Sequence, residues 1–231
     1  MDFYSNRGGF FSNVPKATGN LIVINALVMI MCALNGDFMY EKFSLFYPTS
    51  PFFKWWQPFT HLFMHGGFWH LFFNMFTLYM FGSALERQWG VKKFLLFYFV
   101  AGFGAALTHM AVQFVQVHVF MAQIADGSMQ AVQSLHALKM TPTVGASGAI
   151  YGCLLAFAML YPDAKMGLIF PPVVLKAKWM VLVFVVIELG TGLTGVGGNV
   201  AHFAHLGGML FGWFLILYWK KRHTLYSNYD R

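Results

Sequence analysis

Five stretches of this chain carry no charged residue: 17–36, 55–85, 94–125, 140–162 and 189–219. They are 20, 31, 32, 23 and 31 residues long. A helix needs about 20 mostly apolar residues to cross the hydrocarbon core of a bilayer. Runs of this length, repeated through the chain, leave a membrane-embedded helical protein as the reading that fits. Composition agrees. Charged residues make up 10% and apolar residues 58%, whereas a soluble domain carries roughly 25% charged residues. There are too few charges here to coat a water-facing surface, and too much apolar mass for disorder. Cys32 and Cys153 both lie in apolar runs, so no disulfide framework is implied.

The pattern predicts six helices, over about 19–35, 62–84, 94–116, 146–161, 174–191 and 200–219. The fold class is all-α, a polytopic six-helix bundle, and residues 1–231 form one domain. The fifth helix is the least regular, with Lys176, Lys178 and Glu188 in or near it. The first run is long for a signal-peptide core and has no convincing cleavage site after it, so it is read as a retained helix.

Counting cations by loop sets the orientation. With the N-terminus inside, the inner segments hold Arg7, Lys16, Arg87, Lys92, Lys93, Lys165, Lys176, Lys178, Lys220, Lys221, Arg222 and Arg231. The outer loops hold Lys42, Lys54 and Lys139. Positive loops stay cytoplasmic, so both termini are expected in the cytoplasm. The +7 net charge then reflects membrane orientation and not a nucleic-acid surface. Trp55 and Trp56 are expected at the outer interface, and Tyr218 and Trp219 at the inner one. The first outer loop, about 36–61, holds Phe43, Phe46, Tyr47, Phe52 and Phe53 and three prolines. It is too apolar for a solvated linker and is expected to lie partly in the outer leaflet. The second outer loop, 117–145, reads as a softer amphipathic segment.

Polar side chains inside spans are expensive, and each is a functional candidate. They cluster on three helices. The second opens with His61, His65, His70 and Asn74, the fourth with Gly145-Ala146-Ser147-Gly148, and the sixth with Asn199, His202 and His205 before Gly207, Gly208 and Gly212. All three helices run from outside to inside, so the clusters converge near the outer face. Ser147 is the candidate nucleophile and His205 its base, since a serine hydroxyl is weak until a base takes its proton. Gly148-xxx-Gly152 and Gly208-xxx-Gly212 are small-xxx-small patterns that let helices approach closely. His70 and Asn74, spaced i, i+4 on one face, are candidate donors to an oxyanion. No acidic residue is placed near the cluster, so the expectation is a Ser–His dyad without a third member. His202 is the rival base. Glu188 is read as a helix-end or packing carboxylate, and Asn25, Thr77 and Thr108 as internal hydrogen-bonding residues. His61 and His65 are expected to tie the outer loop to the second helix.

With these residues in place, the chain resembles the rhomboid intramembrane serine proteases over about residues 20–219. The stretch His65-Gly66-Gly67-Phe68-Trp69-His70-Leu71-Phe72-Phe73-Asn74 is similar to the family's second-helix motif. Gly145-Ala146-Ser147-Gly148 is similar to its GxSG motif, and Ala204-His205-Leu206-Gly207-Gly208 with Gly212 to its AHxxGxxxG motif. The resemblance implies Ser147 as nucleophile and His205 as general base. It implies an oxyanion hole of His70, Asn74 and the Ser147 N–H, with Gly145, Tyr151, Gly148 and Gly208 supporting the site. Tyr151 corresponds to a family tyrosine packed on the histidine. Trp56-Gln57 stands where the family has Trp-Arg, which leaves the loop's anchoring open. The implied activity is cleavage of single-span transmembrane substrates, with no metal or cofactor and no nucleic acid, and the lipid bilayer as a partner. The setting implied is a bacterial inner membrane with the site opening to the extracytoplasmic side. Substrate access is expected past the fifth helix and the first loop. The alternatives are a non-catalytic rhomboid-like protein that binds transmembrane helices, a metal or haem protein using His61, His65, His70, His202 and His205, and a transporter. The last two lack, respectively, an HExxH motif with an orienting acid and a paired mid-membrane charge.

Overall fold

The computed structural model describes residues 14–168, 172–194 and 199–226. Arg7 and Arg231 lie outside them. Helix accounts for 77% of the described residues and strand for 4%. Helix α1 (Lys16–Leu34) is followed by α2 (Gly36–Phe43), the short α3 (Gln57–Thr60) and a 3₁₀ turn (His61–Phe63). Next, α4 (Phe68–Thr77) runs through a π-helical turn (Leu78–Gly82) into α5 (Ser83–Trp89). Helices α6 (Val91–Ala125), α7 (Met129–Met140) and α8 (Ser147–Leu160) come next. A hairpin of β1 (Lys165–Leu168) and β2 (Val173–Lys176) precedes α9 (Ala177–Thr194) and α10 (Asn199–Lys221).

Among the described residues, α1, α6 and α9 are long and apolar enough to cross a membrane, with mean hydropathies of 2.0, 1.7 and 1.6. The protein is an integral membrane protein. Its outer surface is apolar: Leu34, Trp69, Phe73, Val186 and Leu193 are all exposed. In water such a surface would aggregate; against lipid it costs nothing. The same fact removes the usual hydrophobic drive for helices to associate, and close packing must supply it.

Helix α10 lies against both α6 and α8, and glycines make this approach possible. A Cβ on Gly208 would overlap the Gly148 carbonyl, and one on Gly152 would sit 3.0 Å from the Gly208 carbonyl oxygen. A Cβ on Gly212 would meet the Phe97 ring at 2.8 Å. Below this glycine seam, Trp89, Phe97 and Trp219 interlock, with Trp89 and Trp219 ring centroids 5.2 Å apart.

Contacts group the helix ends into two sets. At one end Glu86 of α5 accepts from Ala17 N–H at 2.8 Å and Thr18 N–H at 2.7 Å. The carboxylate thus caps the orphan donors of α1. Lys93 Nζ at the same end donates to the carbonyls of Thr224 and Leu225. Tyr161 reaches Gln88 at 3.0 Å, and Asp163 holds Lys176 at 3.0 Å and Lys178 at 3.1 Å. Those two lysines, Lys176 first, hold the exposed Asp163 carboxyl below its ordinary range. At the other end Leu45 and Thr143 exchange backbone hydrogen bonds of 2.9 and 2.8 Å, and Gly145 N–H donates to the His61 carbonyl at 3.0 Å. The irregular backbone before α8 is therefore covered by protein, as non-helical chain at membrane depth must be.

Several boundaries differ from expectation, each for a local reason. The second helix begins at Phe68 and not at 62, because Gly66-Gly67 breaks it from the turns before. Helix α6 continues to Ala125, since nothing between 91 and 125 stops a helix; bilayer thickness had set the expected end at 116. The segment 117–145, expected as a loop, accordingly contains a full helix, α7, entered through Gly127 at φ 88°. The all-α class holds, with one local departure: β1 and β2 pair antiparallel, Lys165 opposite Lys176, where the pattern predicts a helix from 174. The fifth helix therefore starts at Ala177 instead of 174. In the segment 36–61, Gln57 is fully buried and its Nε2 donates to the Phe52 carbonyl at 2.8 Å. Trp56 Nε1 donates to the Lys42 carbonyl at 2.9 Å. The loop is thus anchored by Trp56-Gln57. Asn25, Thr77 and Thr108 each bond a carbonyl four residues back on their own helix.

Two substitutions test this packing. Gly208→Val is expected to destabilise the bundle by about 1–3 kcal/mol or more, the usual cost of overpacking. Glu86→Gln is expected to cost about 1–3 kcal/mol by unpairing the α1 cap. Thermal unfolding in detergent reads both.

Candidate active site

Ser147 is the first residue of α8. First-turn N–H groups have no partner within their helix, so the backbone around Ser147 presents donors. Gly145 before it holds φ 128°, a conformation that side chains other than glycine rarely adopt. A Cβ there would also stand 3.1 Å from the His70 ring. Gly145 therefore lets His70 come close to the start of α8.

His205 lies on α10 directly above the glycine seam. Its Nε2 is 2.8 Å from Ser147 Oγ, within the range for proton transfer. Its other face stacks on Tyr151, with centroids 4.2 Å apart and planes 4° from parallel. Tyr151 sits one turn after Ser147 on α8, so one helix supplies both the hydroxyl and the platform for the ring.

The expectation of no nearby acid is overturned. Glu188 on α9 is 5% exposed. Its Oε1 lies 3.0 Å from His205 Nδ1 and its Oε2 lies 2.6 Å from His202 Nδ1. Its place near the end of the expected fifth helix reads as that of a helix-end or packing group, and its contacts with histidines 14 and 17 residues away exist only through the register of α9 against α10. A usable signal existed. Glu188 is the single Asp or Glu inside any of the six expected spans, and His202 and His205 share one face of the next helix. His202 turns to Glu188, and His205 is the histidine paired with the serine.

The second-helix residues line the same space. A cavity of about 770 Å³ is bordered by His70, Asn74, Ser147, Tyr151 and His205. It extends between α4 and α9, past Phe73, Phe76 and Phe184, to Met166 in β1. No residue of 36–61 borders it, so the cleft is flanked by α9, as expected, and by α4 in place of the first loop. His70 is the third residue of α4 and Asn74 the seventh. Asn74 Nδ2 donates one hydrogen to the His70 carbonyl at 2.9 Å, which leaves its second hydrogen for another acceptor. A smaller space of about 40 Å³ lies behind Ser147, with His61, His109 and Thr143 at its wall. It exceeds the volume one water centre needs. His109, unassigned from sequence, is 2.7 Å from Thr143 Oγ1. Tyr40 Oη donates to the His65 carbonyl at 2.6 Å, which ties α2 to the chain just before α4. The side chain of Asn199 lies outside the described residues.

Ligand atoms of Glu188, His202 and His205 fall within 4.8 Å of one another. The 2.6 and 3.0 Å separations are those of shared protons. Two ligands on one zinc, each about 2.0–2.1 Å from it, stand farther apart than that.

Residues 53–222 match the family model described as the Rhomboid domain. The chain belongs to the rhomboid family. It is 30% identical over 161 residues to Rhomboid protease GluP of Bacillus subtilis, covering 70% of this chain and 25% of that protein. It is 31% identical over 157 residues to Rhomboid protein 1, mitochondrial, of Saccharomyces cerevisiae, covering 66% of this chain and 40% of that one. Rhomboid protease AarA of Providencia stuartii is 27% identical over 205 residues, 88% of this chain and 63% of that protein. The chain thus spans less than two thirds of the length of each of these rhomboids.

Gly145→Ala is expected to displace the His70 ring from the start of α8 and to destabilise the fold by about 1–3 kcal/mol, the cost of a strained backbone. Melting curves in detergent check this.

Proposed function

We propose that this rhomboid is an intramembrane serine endopeptidase that cleaves single-span transmembrane substrates through an acyl-enzyme. The observation that carries the reading is the 2.8 Å contact between Ser147 Oγ and His205 Nε2. In the first step His205 Nε2 takes the hydroxyl proton as Oγ bonds to the scissile carbonyl carbon. The oxyanion is met by the Ser147 N–H, with His70 and Asn74 as side-chain donors. His205 then gives the proton to the leaving amine and the peptide C–N bond breaks. A water, deprotonated by His205, attacks the ester, and the acid product leaves with Ser147 restored.

The topology proposed with it has six spans: α1, α4–α5, α6, α8, α9 and α10, within one domain. Both termini are cytoplasmic and the site opens on the extracytoplasmic side of a bacterial inner membrane. The grouping of cation-bearing helix ends supports this orientation. Helix α8 has 14 residues, about 21 Å at 1.5 Å per residue. The hydrocarbon core is about 30 Å thick, so Ser147 lies below the outer surface and the cavity must admit water to it. The cleft between α4 and α9 leads to Ser147 and is the proposed path for an extended peptide from a locally unwound substrate helix.

A model single-span substrate in liposomes tests the reading. Ser147→Ala and His205→Ala are each expected to lose at least about 10³-fold in cleavage rate, the scale of lost nucleophilic and base catalysis. His202→Ala is expected to stay within about tenfold of wild type. Cleavage by Ser147→Ala at the wild-type rate contradicts the mechanism. Cleavage absent in wild type, with the substrate helix still bound, favours the non-catalytic relative.

A further inference from the structure

The two oxygens of Glu188 are shared between two imidazoles one helical turn apart. We propose that Glu188 is a positioning residue for His205, so that the working unit is Ser147–His205–Glu188 with His202 holding the second carboxylate oxygen. The proposal rests on the protease reading above and adds the residue that fixes the base.

The chemistry follows from what each group can do. A carboxylate accepts hydrogen bonds and donates none. The 3.0 Å contact at His205 Nδ1 therefore places a proton on Nδ1. In the neutral ring Nε2 is then bare, and it is Nε2 that faces Ser147 Oγ at 2.8 Å. The opposite tautomer would present an N–H to the hydroxyl and have no lone pair to take its proton. When His205 does take that proton, the ring becomes a cation beside a carboxylate that is itself buried. Its attraction is then stronger than in bulk solvent.

The geometry argues for a defined orientation over loose packing. Tyr151 restrains the His205 ring in its plane, and Glu188 restrains its rotation about that stack. His202 Nδ1, 2.6 Å from Oε2, prevents the carboxylate from turning away. Glu188 and His202 are both largely covered, with side chains 7% and 20% exposed. Leaving a buried carboxylate unpaired is costly, so the three groups hold one another in one arrangement. The contact joins α9 to α10 at the level of the serine.

The test uses the whole protein and the liposome cleavage assay. Glu188→Gln keeps the volume but cannot accept from both imidazoles. It is expected to lower kcat by about 10²-fold or more with KM within about threefold of wild type. Glu188→Asp is expected to recover part of that loss. His202→Ala, which leaves the Oε1 contact, is expected to lose far less than Glu188→Gln. A folded Glu188→Gln protein with kcat within about threefold of wild type overturns the proposal, as does a loss confined to KM. Nitrogen-15 NMR of histidine-labelled wild-type protein gives a second test that no folding defect can obscure. Neutral His205 is expected as the Nδ1–H tautomer, and the Nε2–H tautomer overturns the assignment. Failure of the protease reading looks different: wild type does not cleave, while the tautomer still reports on Glu188.

Discussion

The structure depends on how closely α8 and α10 approach. Backbone meets backbone where Gly148 faces Gly208, and no side chain can be inserted between them. That contact sets the separation of the two helices and hence the distance from Ser147 to His205. A membrane bundle cannot rely on expelling water to hold helices together. Its tightest contact has become the place where a hydroxyl and an imidazole are brought within 2.8 Å. The aromatic group of Trp89, Phe97 and Trp219 ties the far end of α10 to α5 and α6, and Glu86 fastens α1 beside it.

Polar chemistry in an apolar medium imposes a second requirement: each buried group needs a partner. Around the site these partners are arranged in series. Ser147 meets His205, His205 meets Glu188, and Glu188 meets His202. The arrangement draws on α8, α9 and α10, so the helices must be correctly stacked before it exists. The cleft between α4 and α9 then leaves the hydroxyl reachable from the side, while Trp56 and Gln57 tie the segment 36–61 to itself.

Much of this was legible in the residue order. Charge-free runs marked the helices, and cation placement matched the grouping of helix ends found in the fold. Glycine spacing anticipated the α8–α10 seam, and Ser147, His205, His70, Asn74 and Tyr151 do meet at one cavity. What was not legible came from contacts between distant segments. Glu188 was read by its position on its own helix, yet its role is set by the register of α9 against α10. The hairpin at 165–176 was hidden because short apolar runs with lysines fit a helix start as well as a strand. Helix α6 runs past the bilayer because a helix ends at its own stop signals, and membrane thickness supplies none.

Whether packing has made Ser147 a nucleophile is open to one direct measurement. The wild-type protein in detergent would be treated with a fluorophosphonate and the adduct located by mass spectrometry, with His205→Ala alongside. The account requires a single adduct on Ser147 that disappears in the variant. An unmodified Ser147 in folded wild-type protein, or equal labelling without His205, would contradict it.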